Sequence, residues 1–487
     1  MARMRATQDE NHFFNHAGEI AKKQFAIASL LFALFPLSVL LAAAEPESTI
    51  IIDLAKPLGR VRALHGVNHG PLANGENARL NSYHAEAGFP STRLHDCHWP
   101  FPDVVDVSCI FPLFSADPED PQNYLFGKTD AYLAAIVANN SSITYRLGQS
   151  IEPWTRYHTD PPVDFEKWTS ICLHIIRHYN EDWDRGFRYN IRYWEIWNET
   201  EYQDMWRGTQ EQYFTLYETA ARAIKAHDPS LMVGGPAASG IHSQRVEPFL
   251  AFCRDKKLPL DFFSWHAYHG DPDELVADAA AAREILDKYG FKHTESQMNE
   301  WRYLPTFAGL RPGNRKMYEN GSVRRLFEDT RGIKGASFCI AALLKLQDSP
   351  LDMANYYCAG TTPWSMFDEY GVPSKVFYAF KAFNQLAQLP TRISCDGSPE
   401  NALTSCAAMS ADKKTIGLLL GNFDSKPRSI RIFLRNGPAK TNLQVKLFQV
   451  DAGHDFDQGQ DALFDASAGL RQEIPSYGVC FMRFSRK

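Results

Sequence analysis

Tyr193-Trp194-Glu195-Ile196-Trp197-Asn198-Glu199 closes a strand-like run on an Asn-Glu pair, and Met298-Asn299-Glu300-Trp301 ends the same way roughly 100 residues later. Aromatic and β-branched residues ahead of each pair favour extended backbone. Two carboxylates delivered into one cleft from the ends of different strands are the minimum equipment for cutting a glycosidic bond, since one donates a proton while the other attacks or activates water. The fold reading therefore turns on whether these two runs belong to one sheet.

Working outward from them, short β-branched or aromatic runs alternate with longer helical patterns from residue 60 onward. The strand candidates are Leu64–Asn68, Thr92–Asp96, Ser142–Leu147, Tyr193–Asn198, Leu231–Gly235, Phe262–Tyr268, Thr294–Glu300 and Met353–Tyr357. Between them, Gln210 to Ala226 places Tyr213, Leu216, Tyr217, Ala220 and Ile224 at helical spacing. Eight strand-helix units closing on themselves predict an α/β fold, a (β/α)8 TIM barrel, over 60–389. Three units of about 30 to 35 residues then separate the fourth strand from the seventh, as the interval between Glu199 and Glu300 requires. Both carboxylates fall at carboxyl ends of strands, where barrels place their chemistry.

Past Leu389-Pro390 the periodicity changes to two, in Ile416–Leu420, Ser429–Leu434, Gln444–Val450 and Gly478–Phe484, divided by Gly, Pro, Asn and Asp turns. A small antiparallel β-sandwich over 390–487 is predicted, with the early strand of 48–59 folding back to join it.

The 487 residues suit a barrel plus a smaller module. The net charge of −6 is spread without basic runs, which argues against nucleic acid as a partner. Lys22 and Lys23 precede an apolar run, Phe25 to Ala44, closing on Ala42-Ala43-Ala44. That order predicts a signal peptide or a membrane anchor over 1–44 and a secreted or extracytoplasmic protein. Nine cysteines are scattered; Cys395 with Cys406, and Cys97 with Cys109, are the spacings that could close loops, and buried free thiols are the alternative. Asn139, Asn140 and Asn320 head glycosylation sequons, as does Asn198, which would lie inside the proposed site.

With Trp194–Glu199 on strand four, Trp265-His266-Ala267-Tyr268 on strand six and Asn299-Glu300-Trp301 on strand seven, the chain resembles glycoside hydrolase family 39 through most of residues 60 to 487. That family holds β-xylosidases, α-L-iduronidases and arabinose-releasing relatives, and belongs to a large retaining clan of barrel glycosidases. The resemblance implies Glu199 as general acid/base and Glu300 as nucleophile, with no cofactor or metal and a carbohydrate as substrate. It further implies that Asn198 bonds the sugar 2-hydroxyl and that His266 and Tyr268 line the site beside the nucleophile. Arg93-Leu94-His95-Asp96 resembles the strand-two motif near the reacting sugar, and His69, His95, Asp96, Trp301 and Trp364 complete the substrate-lining set. The sequence departs from the family in carrying Thr200 where Pro usually follows the Asn-Glu pair, and in lacking a clean match to the acidic stretch of strand eight, near Trp364 and Asp368-Glu369.

Chemistry orders the two carboxylates independently of any family. A general acid must arrive protonated, so burial beside Trp197 and an ionised Glu300 opposite would raise the Glu199 pKa. Tyr268 would hydrogen-bond Glu300 and keep it ionised. Glu195 sits mid-strand, where it must point into the barrel or pair with an arginine such as Arg192; Glu295 begins its strand, at the wrong end for catalysis. His65, His69, His95 and His98 raise a metal-hydrolase alternative, but their spacing matches no familiar ligand pattern. Arg146, Arg302 and Arg311 are the cations that could meet a uronate carboxylate, and no motif places them, so a neutral pentose is favoured. Trp154 and Trp206 read either as rings for sugar stacking or as loop anchors, and Trp99 to Tyr124 as a wall of the cleft. The leading expectation is a secreted retaining exo-glycosidase resembling β-xylosidases. An arabinose-releasing, β-glucosidase or endo-glycanase activity is the alternative within the class, and a carbohydrate-binding protein on a barrel scaffold the alternative outside it.

Overall fold

The computed structural model describes residues 47–72, 79–306, 321–397, 403–437, 443–459 and 461–486. The apolar segment within 1–44, Arg311 and the Asn320 sequon lie outside them, and no helix among the described residues is long and apolar enough to cross a membrane.

After β1 (Ser48–Gly59), eight parallel strands close into a barrel: β2 (Gly66–Asn68), β3 (Ser91–Leu94), β4 (Ser142–Leu147), β5 (Tyr193–Ile196), β6 (Met232–Ala238), β7 (Phe262–His269), β8 (Glu295–Tyr303) and β9 (Met353–Tyr356), with β9 returning to β2. All eight predicted runs are barrel strands. Two run three residues past their predicted ends. β6 runs on through Pro236, where the missing N–H coincides with a register shift against β7, and β8 continues three residues past Glu300. Two glycines let strands approach: a Cβ at Gly66 would lie 2.2 Å from Ser91 Oγ, and one at Gly234 2.2 Å from the Phe262 carbonyl oxygen.

Helices cover the outside because their apolar stripes need the barrel wall. Gln210–His227 begins with Thr209 accepting from Gln212 N while Gln212 reciprocates, and its predicted stripe, Tyr213, Leu216, Tyr217, Ala220 and Ile224, is buried. Phe165–Asn180 is capped by Asp164, which accepts from Lys167 N at 2.9 Å.

The remaining strands are β10 (Thr391–Asp396), β11 (Leu403–Met409), β12 (Thr415–Asn422), β13 (Arg428–Arg435), β14 (Leu443–Val450), β15 (Asp455–Gln458), β16 (Ala462–Phe464), β17 (Leu470–Ile474) and β18 (Val479–Arg486). With β1 they form one sheet in the order β15-β14-β18-β12-β11-β10-β1-β13-β17, β16 pairing β14, an arrangement consistent with a β-sandwich. It is mixed rather than purely antiparallel, because β1 enters between β10 and β13 and runs parallel to β13. Side chains alternate between faces. Ile50, Ile52, Leu418, Ile430 and Phe484 form the sheet's own core, while Cys406, Leu419 and Phe481 join the core of the barrel helices Ile333–Lys345 and Lys375–Ala387.

That alternation also decides the cysteines, all nine of which are free thiols. Cys395 packs against the inner core and donates to Ser405 Oγ at 3.3 Å, whereas its neighbour across the hairpin, Cys406, faces the barrel helices. Cys97 and Cys109 are likewise not joined, each donating to a backbone carbonyl, of His95 and Pro102.

Candidate active site

Both Asn-Glu pairs are held at the barrel mouth by unusual backbone. β5 stops at Ile196, and Trp197 and Glu199 then adopt left-handed conformations, φ 69° and 40°, which side chains disfavour. The turn is pinned by Trp197 N donating to the Leu147 carbonyl at 2.8 Å, Glu199 N to Ala237 at 3.0 Å and the Trp197 indole to Met205 at 2.8 Å. On β8 a bulge between Met298 and Trp301 turns the successive Asn299 and Glu300 side chains inward.

The hub between them is a residue the sequence reading quoted without a role. Arg93 on β3 is fully buried and uses its whole guanidinium: Nε donates to Glu195 Oε2 at 2.7 Å, Nη1 to Glu300 Oε1 at 2.7 Å and to Asn68 Oδ1 at 3.2 Å, and Nη2 to Asn198 Oδ1 at 2.7 Å. Glu195 therefore pairs with Arg93, not Arg192; Asn299 Nδ2 donates to its other oxygen at 2.5 Å. A buried arginine flanked by two carboxylates satisfies all three charges, where removing one would strand the rest.

His266 on β7 stands between the proposed catalytic groups. A hydrogen bond joins its Nδ1 to Glu199 Oε1 at 2.7 Å, and the same nitrogen is 3.5 Å from Glu300 Oε2. Tyr268 donates to Glu300 Oε2 at 2.6 Å. One oxygen of each glutamate and a nitrogen of His266 lie within 4.8 Å of one another. By distance this trio could hold a cation, yet Arg93 already brings a positive charge to Glu300. The four clustered histidines do not converge: His65 packs on Phe383 of an outer helix, and His98 bonds Asp103 at 2.6 Å.

Burial raises both carboxyls, and their neighbours separate them. The Glu199 pKa is pushed up to about 8, first by desolvation and then by the negative charges of Glu201 and Asp204, against Arg93. Glu300 also stays above its ordinary pKa through burial and the charge of Glu199, with His266, Arg93 and the Tyr268 hydrogen bond opposing the rise. The expected neighbour effect on Glu199 is thus supplied chiefly by Glu201, whose Oε1 accepts from Ser239 N at 3.1 Å and Ser243 Oγ at 2.6 Å. Burial holds His266 below its ordinary pKa, against the opposing pull of the Glu300 carboxylate.

Asn198, His69, His95 and Asp96 are brought to the same end of the barrel, all nearly inaccessible. Asp96, raised to about 6 by burial, accepts from Ile151 N at 2.9 Å and from the Tyr357 hydroxyl at 3.1 Å, and His95 Nε2 lies 3.3 Å from its Oδ1. Tyr357, the residue after β9, is a second site residue that the sequence reading placed on a strand without assigning it a role. One candidate ring is turned away from the glutamates. Trp301 faces outward, its ring against Phe380 and Tyr356. Trp364 covers Arg302, whose Nη1 donates to its carbonyl at 2.6 Å. Asp368 accepts from Tyr370 N and Val372 N in a turn. Of the arginines considered for a uronate, Arg146 pairs with Asp106 at 2.5 Å. Glu295 starts β8 and accepts from the Tyr193 hydroxyl at 3.3 Å, away from the mouth. A cavity of about 420 Å³ between Lys345, Asp348 and the β10–β11 pair contains none of the candidate residues.

Residues 113–310 match the model of glycosyl hydrolases family 39. The chain is 39% identical over 262 residues to a β-xylosidase of Geobacillus stearothermophilus, covering 49% of each chain. It is 25% identical over 283 residues to a β-xylosidase of Caldicellulosiruptor saccharolyticus, covering 54% of each. It thus spans about half the length of the curated relatives it matches. Among solved structures, a glucosidase from Croceicoccus marinus superposes with a TM-score of 0.77 at 24% identity, covering 91% of this chain and 100% of that one. A family 39 enzyme from Xanthomonas axonopodis pv. citri gives 0.67 at 19% identity, covering 93% and 100%. At those identities the superpositions establish the shared fold.

Proposed function

We propose that this chain, which matches the model of glycosyl hydrolases family 39 over residues 113–310, is a retaining, exo-acting glycoside hydrolase resembling β-xylosidases, exported from the cytosol and acting on plant-type oligo- or polysaccharide. The observation that carries the reading is the Glu199–Glu300 pair, from the turn after the fourth barrel strand and from the seventh strand, with carboxylate oxygens within 4.8 Å across His266. Retaining enzymes hold their carboxyls about 5 to 5.5 Å apart, whereas inverting ones leave about 6.5 to 9.5 Å for a water. Glu300, paired with Arg93 and Tyr268, attacks the anomeric carbon while Glu199 gives its proton to the departing oxygen. A covalent glycosyl ester on Glu300 results. Ester formation removes the charge of Glu300, Glu199 then takes a proton from water, and the hydroxide displaces Glu300 with a second inversion.

A neutral sugar is favoured because Arg93 and Arg146 are already paired with carboxylates of the chain. The two curated relatives are β-xylosidases. Export rests on the Lys22-Lys23 and Phe25–Ala44 pattern; the mass of the chain recovered outside expressing cells tests it, and an exclusively cytosolic product would refute it. The activity is tested on nitrophenyl β-xyloside, β-glucoside, α-L-arabinofuranoside and α-L-iduronide with Glu300→Ala alongside. Release from the xyloside that vanishes in the variant supports the reading, and inertness of the wild type to the whole panel overturns it.

A further inference from the structure

Three exposed aromatic rings stand on the loops that leave the carboxyl ends of β3 and β4, and a fourth follows β5. Phe101, Trp154 and Tyr157 are 72%, 45% and 71% exposed, and Tyr202 about half. Soluble proteins seldom leave large rings grouped in water without a use for them. The pair Phe101–Trp154 is built rather than incidental, with centroids 6.0 Å apart and planes at 47°. Arg156 fixes it: the guanidinium lies 5.2 Å over the Trp154 ring while its Nη2 donates to the Pro100 carbonyl at 3.1 Å, tying the two loops together. Arg207 lies 5.7 Å over Tyr157 and donates to Glu152 at 3.1 Å. Trp206, the other loop tryptophan, is buried with its indole donating to Thr209, and is an anchor only.

The loop carrying Trp154 is continuous with the catalytic end. Ile151 N donates to Asp96 at 2.9 Å, and Glu152 N to the Asp204 carbonyl at 2.9 Å, on the turn that follows Glu199. Tyr202 N donates to the Glu199 carbonyl at 3.1 Å. The rings therefore gather on the side of the proton donor. That is where the leaving group must lie, because Glu199 hands its proton to the glycosidic oxygen.

We infer that Phe101 and Trp154 form a stacking platform for the leaving-group side of the substrate, occupied by the second and third sugars of a neutral β-linked pentose oligosaccharide. This rests on the glycosidase reading of Glu199 and Glu300. Flat apolar rings complement the C–H faces of pyranoses, and Arg156 and Arg207, each lying over one ring, hold them in place.

The test compares β-1,4-xylotriose with β-D-xylosyl fluoride, which share the reacting sugar but differ in whether anything reaches the platform. In the full-length Phe101→Ala/Trp154→Ala variant, the ratio of kcat/KM for xylotriose to that for the fluoride is expected to fall about tenfold, chiefly through KM, and Trp154→Phe to recover most of it. An unchanged ratio, whether both substrates weaken together or neither does, overturns the platform and leaves the glycosidase reading standing. A wild type inert to both compounds overturns the glycosidase reading and the platform with it.

Discussion

A carboxyl that titrates near pH 8 in the folded chain, against about 4.5 for an ordinary glutamate, binds its proton more tightly folded than unfolded. Stability therefore falls as pH rises from about 4.5 through 8, while the acid step needs the proton present. Glu199→Gln should raise stability at pH 7, on the order of 1 kcal/mol, while depressing turnover by several powers of ten; thermal melts across pH 5 to 9 check the first effect, and a wild-type melt that rises over that range would contradict it. Wild-type kcat/KM should decline above about pH 8. Arg93, Glu300 and His266 also face Glu199, but Glu201 and Asp204 supply the charges that raise its pKa. In Glu201→Gln the basic limb of the pH profile should accordingly move to lower pH; a limb that stays put would assign the shift to burial alone. At this scale Glu199 and Glu300 were legible because each is announced by its own strand. Arg93 was not, since its partners come from β2, β5 and β8, and only closure of the barrel brings them to one guanidinium.

Elements were legible where periodicity is local. The eight barrel strands and the helix Gln210–His227 follow from alternation and helical spacing, with ends displaced by a few residues. The β8 bulge left no signature in Met298–Trp301, and it decides that Asn299 and Glu300 face inward and Trp301 outward. Strand order in the second sheet was equally hidden, because β1 reaches β13 across the whole barrel. Close strand approach gives a direct check. A methyl at Gly234 meets the Phe262 carbonyl oxygen at 2.2 Å, so Gly234→Ala should cost about 1 to 3 kcal/mol of stability as β6 and β7 move apart. A denaturation midpoint equal to wild type would show that the pair can shift freely.

For the molecule as a whole, barrel and sheet share one core through Cys406, Leu419 and Phe481 against the helices Ile333–Lys345 and Lys375–Ala387. Residues 47–487 form one compact unit. Calorimetry should accordingly show the barrel and the sheet melting in a single transition, and two separated transitions would mean that this shared face contributes little. The central claim, that a buried proton donor and an arginine-held nucleophile act in double displacement, is tested most directly by proton NMR of the sugar first released from an aryl β-xyloside. Appearance of β-xylose ahead of its mutarotation to α is the expected result. Initial release of α-xylose, or no release of xylose, would contradict it.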